Sequence, residues 1–145
     1  MEYLDRIEDA LLRVVKATAR RAKAAVRRVA PDLEPAAYGL LYRLAEDGPI
    51  RVTELADRLG IDASTASRHV SRLEKTQMVE RRPDPSDARA VLVDLTQTGR
   101  SVFEALKHRR RAGLEAMLSD WSADDLAKLA ELLERLAEGL AGEEE

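Results

Sequence analysis

Apolar positions recur three and four residues apart along most of this chain, and the breaks in that rhythm divide it into elements. Residues 2–29 read as one long helix, with Leu4, Ile7, Leu11, Val14 and Thr18 as a heptad-like stripe. Pro31 and then Pro35 end it and start the next. Residues 36–46 form a second helix, with Leu40, Leu41 and Leu44 apolar and Tyr38 and Tyr42 one turn apart. Asp47-Gly48-Pro49 stops it, and Ile50-Arg51-Val52 is a short strand. Residues 53–60 are a short helix that Thr53 can cap, with Leu55, Ala56 and Leu59 on its apolar face and Gly60 as its stop. Ile61 and Asp62 turn directly into residues 62–77, where Ala66, Val70 and Leu73 share one side and Asp62 is the N-cap.

Beyond that point the period changes. Residues 78–82 and 90–95 read as two strands, and the two prolines and two aspartates between them favour turns. Ile50–Val52 could join their sheet. Thr96 is placed to cap a helix to about Leu118, with Val102, Leu106, Leu114, Met117 and Leu118 apolar and a basic patch over residues 107–111. After a break at residues 119–122, Ser122 and Asp125 stand at capping-box spacing. Leu126, Leu129, Leu133, Leu136 and Leu140 then form a seam, and residues 142–145 read as a frayed tail. Two short helices around a tight glycine turn, followed by a hairpin, make a winged helix-turn-helix. The expected fold is mainly α with a small β-wing. It is a single domain over 1–145, with the winged lobe at 36–99 and helical dimerisation regions at 1–30 and 100–141.

Chemistry concentrates on the helix at 62–77. At about 100° per residue, Ser64, Arg68, Ser71, Arg72 and Lys75 fall opposite its apolar stripe. That outward face combines small donors and long cations without a carboxylate, which is what base edges and phosphates require. The plainer reading is a solvated helix face; the helix before and the hairpin after favour DNA. The candidate DNA contacts are Thr53, Ser64, Thr65, Ser67, Arg68, Ser71, Arg72 and Lys75, with Asp87 and Arg89 on the wing. Arg89 sits where a guanidinium can reach a minor groove, and Asp87 could hold it. His69, beside the basic face, suits a flank or phosphate contact better than catalysis.

Composition limits the alternatives. The 145 residues are 45% apolar with one Trp and one Phe, so the core is mainly Leu, Val and Ala. The net charge of −3 does not announce a nucleic-acid binder. Its distribution matters more, because the acidic excess lies in residues 101–145, whereas residues 13–28 carry seven basic residues and no acid. That basic run is either a solvated face or a contact for an acidic helix or flanking phosphate. No cysteine is present, which excludes disulfides, Cys-ligated metal and thiol redox sensing. The charged start Met1-Glu2-Tyr3-Leu4-Asp5 does not read as a signal peptide and no stretch is long enough to span a bilayer, so a soluble cytoplasmic protein without membrane association is expected. Two histidines far apart, with no phosphate loop, HExxH motif or nucleophile elbow, argue against an enzyme, a metal or a cofactor.

The run Leu73-Glu74-Lys75 through Val79-Glu80-Arg81-Arg82, the wing Asp84-Pro85-Ser86-Asp87-Ala88-Arg89-Ala90, and Leu95-Thr96-Gln97-Thr98-Gly99 closely resemble the MarR (multiple antibiotic resistance regulator) family, along essentially the whole chain. One departure stands at Gln77, where the family usually has glycine; a left-handed turn costs Gln more, so a different local turn is expected there. The resemblance implies a dimer held by its terminal helices, an imperfectly palindromic double-stranded DNA operator, and repression relieved by a small aromatic or phenolic ligand. In such relatives the ligand site lies between the dimer helices and the winged lobe. Here Tyr38 and Tyr42 could line it with Arg109 as the cationic partner, or the tyrosines are ordinary core residues. The two alternatives to a DNA-binding dimer are a monomer whose terminal helices pack on each other and a winged helix used as a protein-interaction scaffold.

Overall fold

The computed structural model describes residues 2–142; the part of the expected frayed tail at residues 143–145 lies outside the described residues. Two compact units divide the chain, Met1–Arg110 and Arg111–Glu145. In chain order the elements are α1 (Glu2–Val29), a 3₁₀ turn (Pro35–Ala37), α2 (Tyr38–Asp47), β1 (Ile50–Arg51), α3 (Val52–Leu59), α4 (Ala63–Lys75), β2 (Val79–Asp84), β3 (Asp87–Leu95), α5 (Gln97–Met117) and α6 (Ala123–Ala141). The three strands form one antiparallel sheet in the order β1–β3–β2. The fold is therefore mainly helical with a small wing, as the hydrophobic pattern predicts.

The first unit is built around aliphatic side chains. Leu41 and Leu44 of α2, Leu55 of α3, Val70 of α4 and Val93 of β3 have no exposed surface. Val26 near the end of α1 and Phe103 and Leu106 of α5 complete the same core. Fully burying each such side chain stabilises the fold by about 1.5–3 kcal/mol. The first half of α1 is different, because Leu4, Ile7, Leu11 and Val14 of its stripe are all exposed.

Helices α3 and α4 end in the same way. At Gly60 (φ +64°) the Ile61 N–H reaches Ala56 O at 3.1 Å and the Gly60 N–H reaches Asp57 O at 3.2 Å. At Gln77 (φ +61°) the Met78 N–H reaches Leu73 O at 2.9 Å and the Gln77 N–H reaches Glu74 O at 3.0 Å. Both are Schellman motifs, which satisfy carbonyls that a helix end leaves free. The expectation of a different turn at Gln77 is thus corrected: the left-handed turn is kept with Gln in it, at a cost of about 1 kcal/mol relative to Gly. The surroundings fix it. Thr96 donates its N–H to Met78 O at 3.1 Å and its hydroxyl to Gln77 O. The same hydroxyl caps α5 by accepting the Gly99 N–H at 3.0 Å. This junction is tight enough that a Cβ on Gly99 would lie 1.9 Å from Met78 O.

Two boundaries and one cap differ from the sequence reading. Thr53 is not a cap; the capping position is Arg51, without a side-chain bond. Ile50 and Arg51 pair with Val93 and Leu92, so extended backbone runs up to Arg51 and the helix starts at once. Asp62 does hold the N-cap position of α4, but its carboxylate makes no capping bond. The wing strands run longer than expected, leaving only Pro85 and Ser86 as the turn.

In the second unit Ser122 caps α6 by accepting the Asp125 N–H at 3.1 Å, so this half of the expected capping box forms. No residue of α6 is buried, and Leu126, Leu132, Leu133, Leu136 and Leu140 are all exposed.

Candidate nucleic-acid interface

Helix α4 lies with Ala66, Val70 and Leu73 in the core. Ser64, Arg68, Arg72 and Lys75 are exposed, whereas Thr65, Ser67 and Ser71 are half-buried at the edges of that face. Arg68 donates from Nη2 to Thr65 Oγ1 at 3.3 Å, which tethers the guanidinium lightly without neutralising it. The two flanks are occupied. On one side Arg72 Nη1 meets Glu34 Oε1 at 2.5 Å. On the other, Arg81 of β2 donates from Nε to Glu74 Oε1 at 3.2 Å and from Nη2 to Ser71 Oγ at 3.5 Å. The face expected to lack carboxylates is therefore bordered by two of them. Glu34 arrives from the segment before the 3₁₀ turn, and a helical wheel drawn on α4 alone cannot show it. Thr53, on α3, is exposed.

The wing is held by a different set of bonds. Strands β2 and β3 pair in register as far as Pro83 with Val91, then shift to Asp84 with Asp87, so residues 88–90 bulge out of the ladder. Asp84 accepts the Ser86 hydroxyl at 2.7 Å and the Ser86 N–H at 2.9 Å. It also accepts Arg51 Nη2 at 2.9 Å and Nε at 3.2 Å. These donors, the Ser86 hydroxyl first, hold its carboxyl down at about 2. Asp87 lies 3.6 Å from the same Arg51 guanidinium.

The expected pairing of Asp87 with the Arg89 side chain needs correction. Asp87 Oδ1 accepts the backbone N–H of Arg89 at 3.0 Å, as in an Asx turn. It shapes the bulge that carries Arg89 and leaves the exposed guanidinium free of protein partners among the described residues. The cation it does approach is Arg51, a residue the sequence reading did not select. Its signal was the short strand at residues 50–52, since pairing that strand with the wing brings Arg51 beside the turn.

Among the described residues the cation that meets the tyrosines of α2 is Arg110, not Arg109. Arg110 Nη1 donates to the Tyr38 hydroxyl at 3.1 Å, and its guanidinium carbon lies 6.0 Å from the centre of the Tyr42 ring. Helical geometry explains the choice: Phe103, Leu106 and Arg110 fall on one face of α5 at spacings of three and four, and Arg109 is turned about 100° away. Tyr42 also packs edge-on against Phe103, ring centres 6.0 Å apart.

A helix-turn-helix whose second helix presents cations outward, with a hairpin that carries the exposed Arg89 beside it, defines a winged helix-turn-helix of the DNA-binding type. Comparison with known proteins agrees. A family model described as MarR family matches residues 33–91. The chain is 39% identical over 105 residues to the uncharacterized HTH-type transcriptional regulator YxaD of Bacillus subtilis (strain 168), spanning 72% of this chain and 73% of that protein. It is 28% identical over 106 residues to the HTH-type transcriptional repressor NicR of Pseudomonas putida, spanning 73% of this chain and 67% of that protein. A MarR family protein from Bacillus stearothermophilus has the same fold, with a TM-score of 0.86 and 22% identity over 97% of this chain and 98% of that one. The chain belongs to the MarR family. It is a DNA-binding transcriptional regulator and not an enzyme. Among the described residues no helix is long and apolar enough to cross a membrane.

Proposed function

We propose that this protein is a homodimeric repressor that binds a pseudo-palindromic double-stranded operator in the cytoplasm and is released by a small aromatic or phenolic ligand. The single observation that carries the DNA reading is the outward face of α4, where Ser64, Arg68 and Lys75 stand exposed above the buried Ala66, Val70 and Leu73. In this reading α4 enters a major groove, Arg68 meets a base edge, and Thr53, Thr65, Ser67, Ser71, Arg72 and Lys75 serve as flank and phosphate contacts. Arg89 reaches a minor groove from the bulge that Asp87 shapes.

Dimerisation is supported by the exposed leucines of α6 and the exposed stripe of α1, apolar surfaces that a second copy would cover. Two reading heads one turn of DNA apart gain affinity through effective concentration. Repression follows from occupying a promoter, and one relative, NicR, is named as a repressor. The ligand reading rests on the Tyr38, Tyr42 and Arg110 cluster, where two phenols and a guanidinium suit an aromatic anion. A ligand acts only by binding one dimer geometry better than the other.

The test is selection of bound sequences from a random duplex pool, followed by gel shifts of the recovered duplex across salt concentrations. Recovery of a two-fold symmetric motif whose binding weakens steeply with salt is expected. A protein-interaction scaffold would recover no motif and show no salt-dependent binding.

A further inference from the structure

We propose that Glu34, His69 and Arg72 form a proton-linked phosphate site on the flank of α4. It rests on the reading of α4 as the DNA-contacting helix and adds what controls one of its cations. Arg72 is not idle in the free protein. Its Nη1 is held at 2.5 Å by Glu34 Oε1, a carboxylate occupying the place that a backbone phosphate oxygen would take. DNA must displace Glu34 to recruit Arg72.

His69 supplies the means. It lies one turn before Arg72 on the same side of α4, and its Nδ1 is buried without a hydrogen-bond partner, 3.7 Å from Glu34 Oε2. That distance is too long for a hydrogen bond and short enough for strong attraction once the ring is charged. Histidine is the side chain that changes charge between about pH 5 and 8. A proton on His69 gives Glu34 a second cation, so Arg72 can leave for a phosphate without stranding the carboxylate. The net charge of the three groups then rises from zero to plus one. The charged groups facing the open cleft of about 250 Å³ beside His69 are Asp32 and Glu34 from the segment before the 3₁₀ turn and Arg72 and Lys75 from α4. The sign follows: the DNA-bound state prefers protonated His69, so affinity rises as pH falls.

Phosphate contacts do not depend on sequence, so the probe is a mixed-sequence duplex of roughly 30 base pairs at constant ionic strength. Wild type is expected to bind it about 5- to 10-fold more tightly near pH 6 than near pH 8. His69→Gln should flatten that slope to within about twofold, whereas His108→Gln, which alters the other histidine, should keep it. Glu34→Gln, at a half-exposed surface position, should bind near pH 8 as tightly as wild type does near pH 6. A slope unchanged in His69→Gln overturns the proposal, as does Glu34→Gln binding no tighter than wild type near pH 8. If wild type binds at both pH values without a slope, this proposal alone fails; if it binds no duplex at either, the DNA reading fails and takes this proposal with it.

Discussion

Leu44 of α2 and Leu136 of α6 belong to equally regular apolar stripes, yet Leu44 has no exposed surface and Leu136 is 37% exposed. The same contrast separates Val26 from Leu4 within the single helix α1, at 1% and 66% exposed. Periodicity says which face of a helix wants cover, and it does not say whether the same chain supplies that cover. In the winged lobe the cover comes from neighbouring elements and the helices lock into a reading head. In α6 and the start of α1 the apolar positions are exposed, and it is the proposed second copy that would cover them.

The largest effect should come from the uncovered side. Deleting residues 122–145 is expected to abolish dimerisation and weaken operator binding at least about 100-fold, because the second head then binds as a separate molecule. Sedimentation and anisotropy on the same samples check this, and a truncated chain that remains a dimer breaks the comparison. Next is the α4–α5 junction, where Gly99→Ala forces a Cβ against Met78 O. A loss of about 3 kcal/mol or more in chemical denaturation is expected. Leu44→Ala should cost about 2–5 kcal/mol, whereas Leu136→Ala should cost the isolated chain well under about 1 kcal/mol and act on the dimer instead. Gln77→Gly keeps the Schellman turn and relieves its left-handed strain, so it should stabilise the lobe by about 1 kcal/mol.

The smallest effect is confined to the wing. Asp84 titrates at about 2 in place of its ordinary 3.8, so its carboxylate supports the turn above pH 4 and that support fades as pH falls towards 2. Ser86→Ala removes the leading donor and should move the loss of wing order to higher pH. The amide signals of residues 85–89 followed by NMR through an acid titration report this directly.

The contrast also marks what the sequence could show. Elements governed by local rules were legible: the αL stop at Gly60, the Thr96 and Ser122 caps, the apolar stripe of α4 and its outward Ser64, Arg68 and Lys75. Partners brought together by tertiary folding were not. Glu34 reaches Arg72 across 38 residues and Arg51 reaches Asp84 across 33, and no spacing rule connects them. Thr53 is not the cap because the strand stops at Arg51, one residue short of the expected Val52, and Arg51 takes the N-cap position. An Asx bond to backbone and an ion pair to a side chain share the same two-residue spacing, so the sequence alone does not say which group of Arg89 is held by Asp87. Arg110 displaced Arg109 because only the buried Phe103 and Leu106 fix which face of α5 turns towards α2.

The central claim is that α4 reads a major groove while the wing senses a minor groove, and two arginines test it most directly. Arg68→Ala and Arg89→Ala should each be measured against the selected operator and an unrelated A·T-rich duplex at several salt concentrations. Losing Arg68 is expected to narrow the gap between the two duplexes by about 1–3 kcal/mol, at one base pair in each half-site. Losing Arg89 should weaken both duplexes alike and flatten the salt dependence. If Arg89→Ala changes preference at one internal base pair and Arg68→Ala lowers affinity uniformly, the assignment of helix and wing to their grooves is contradicted.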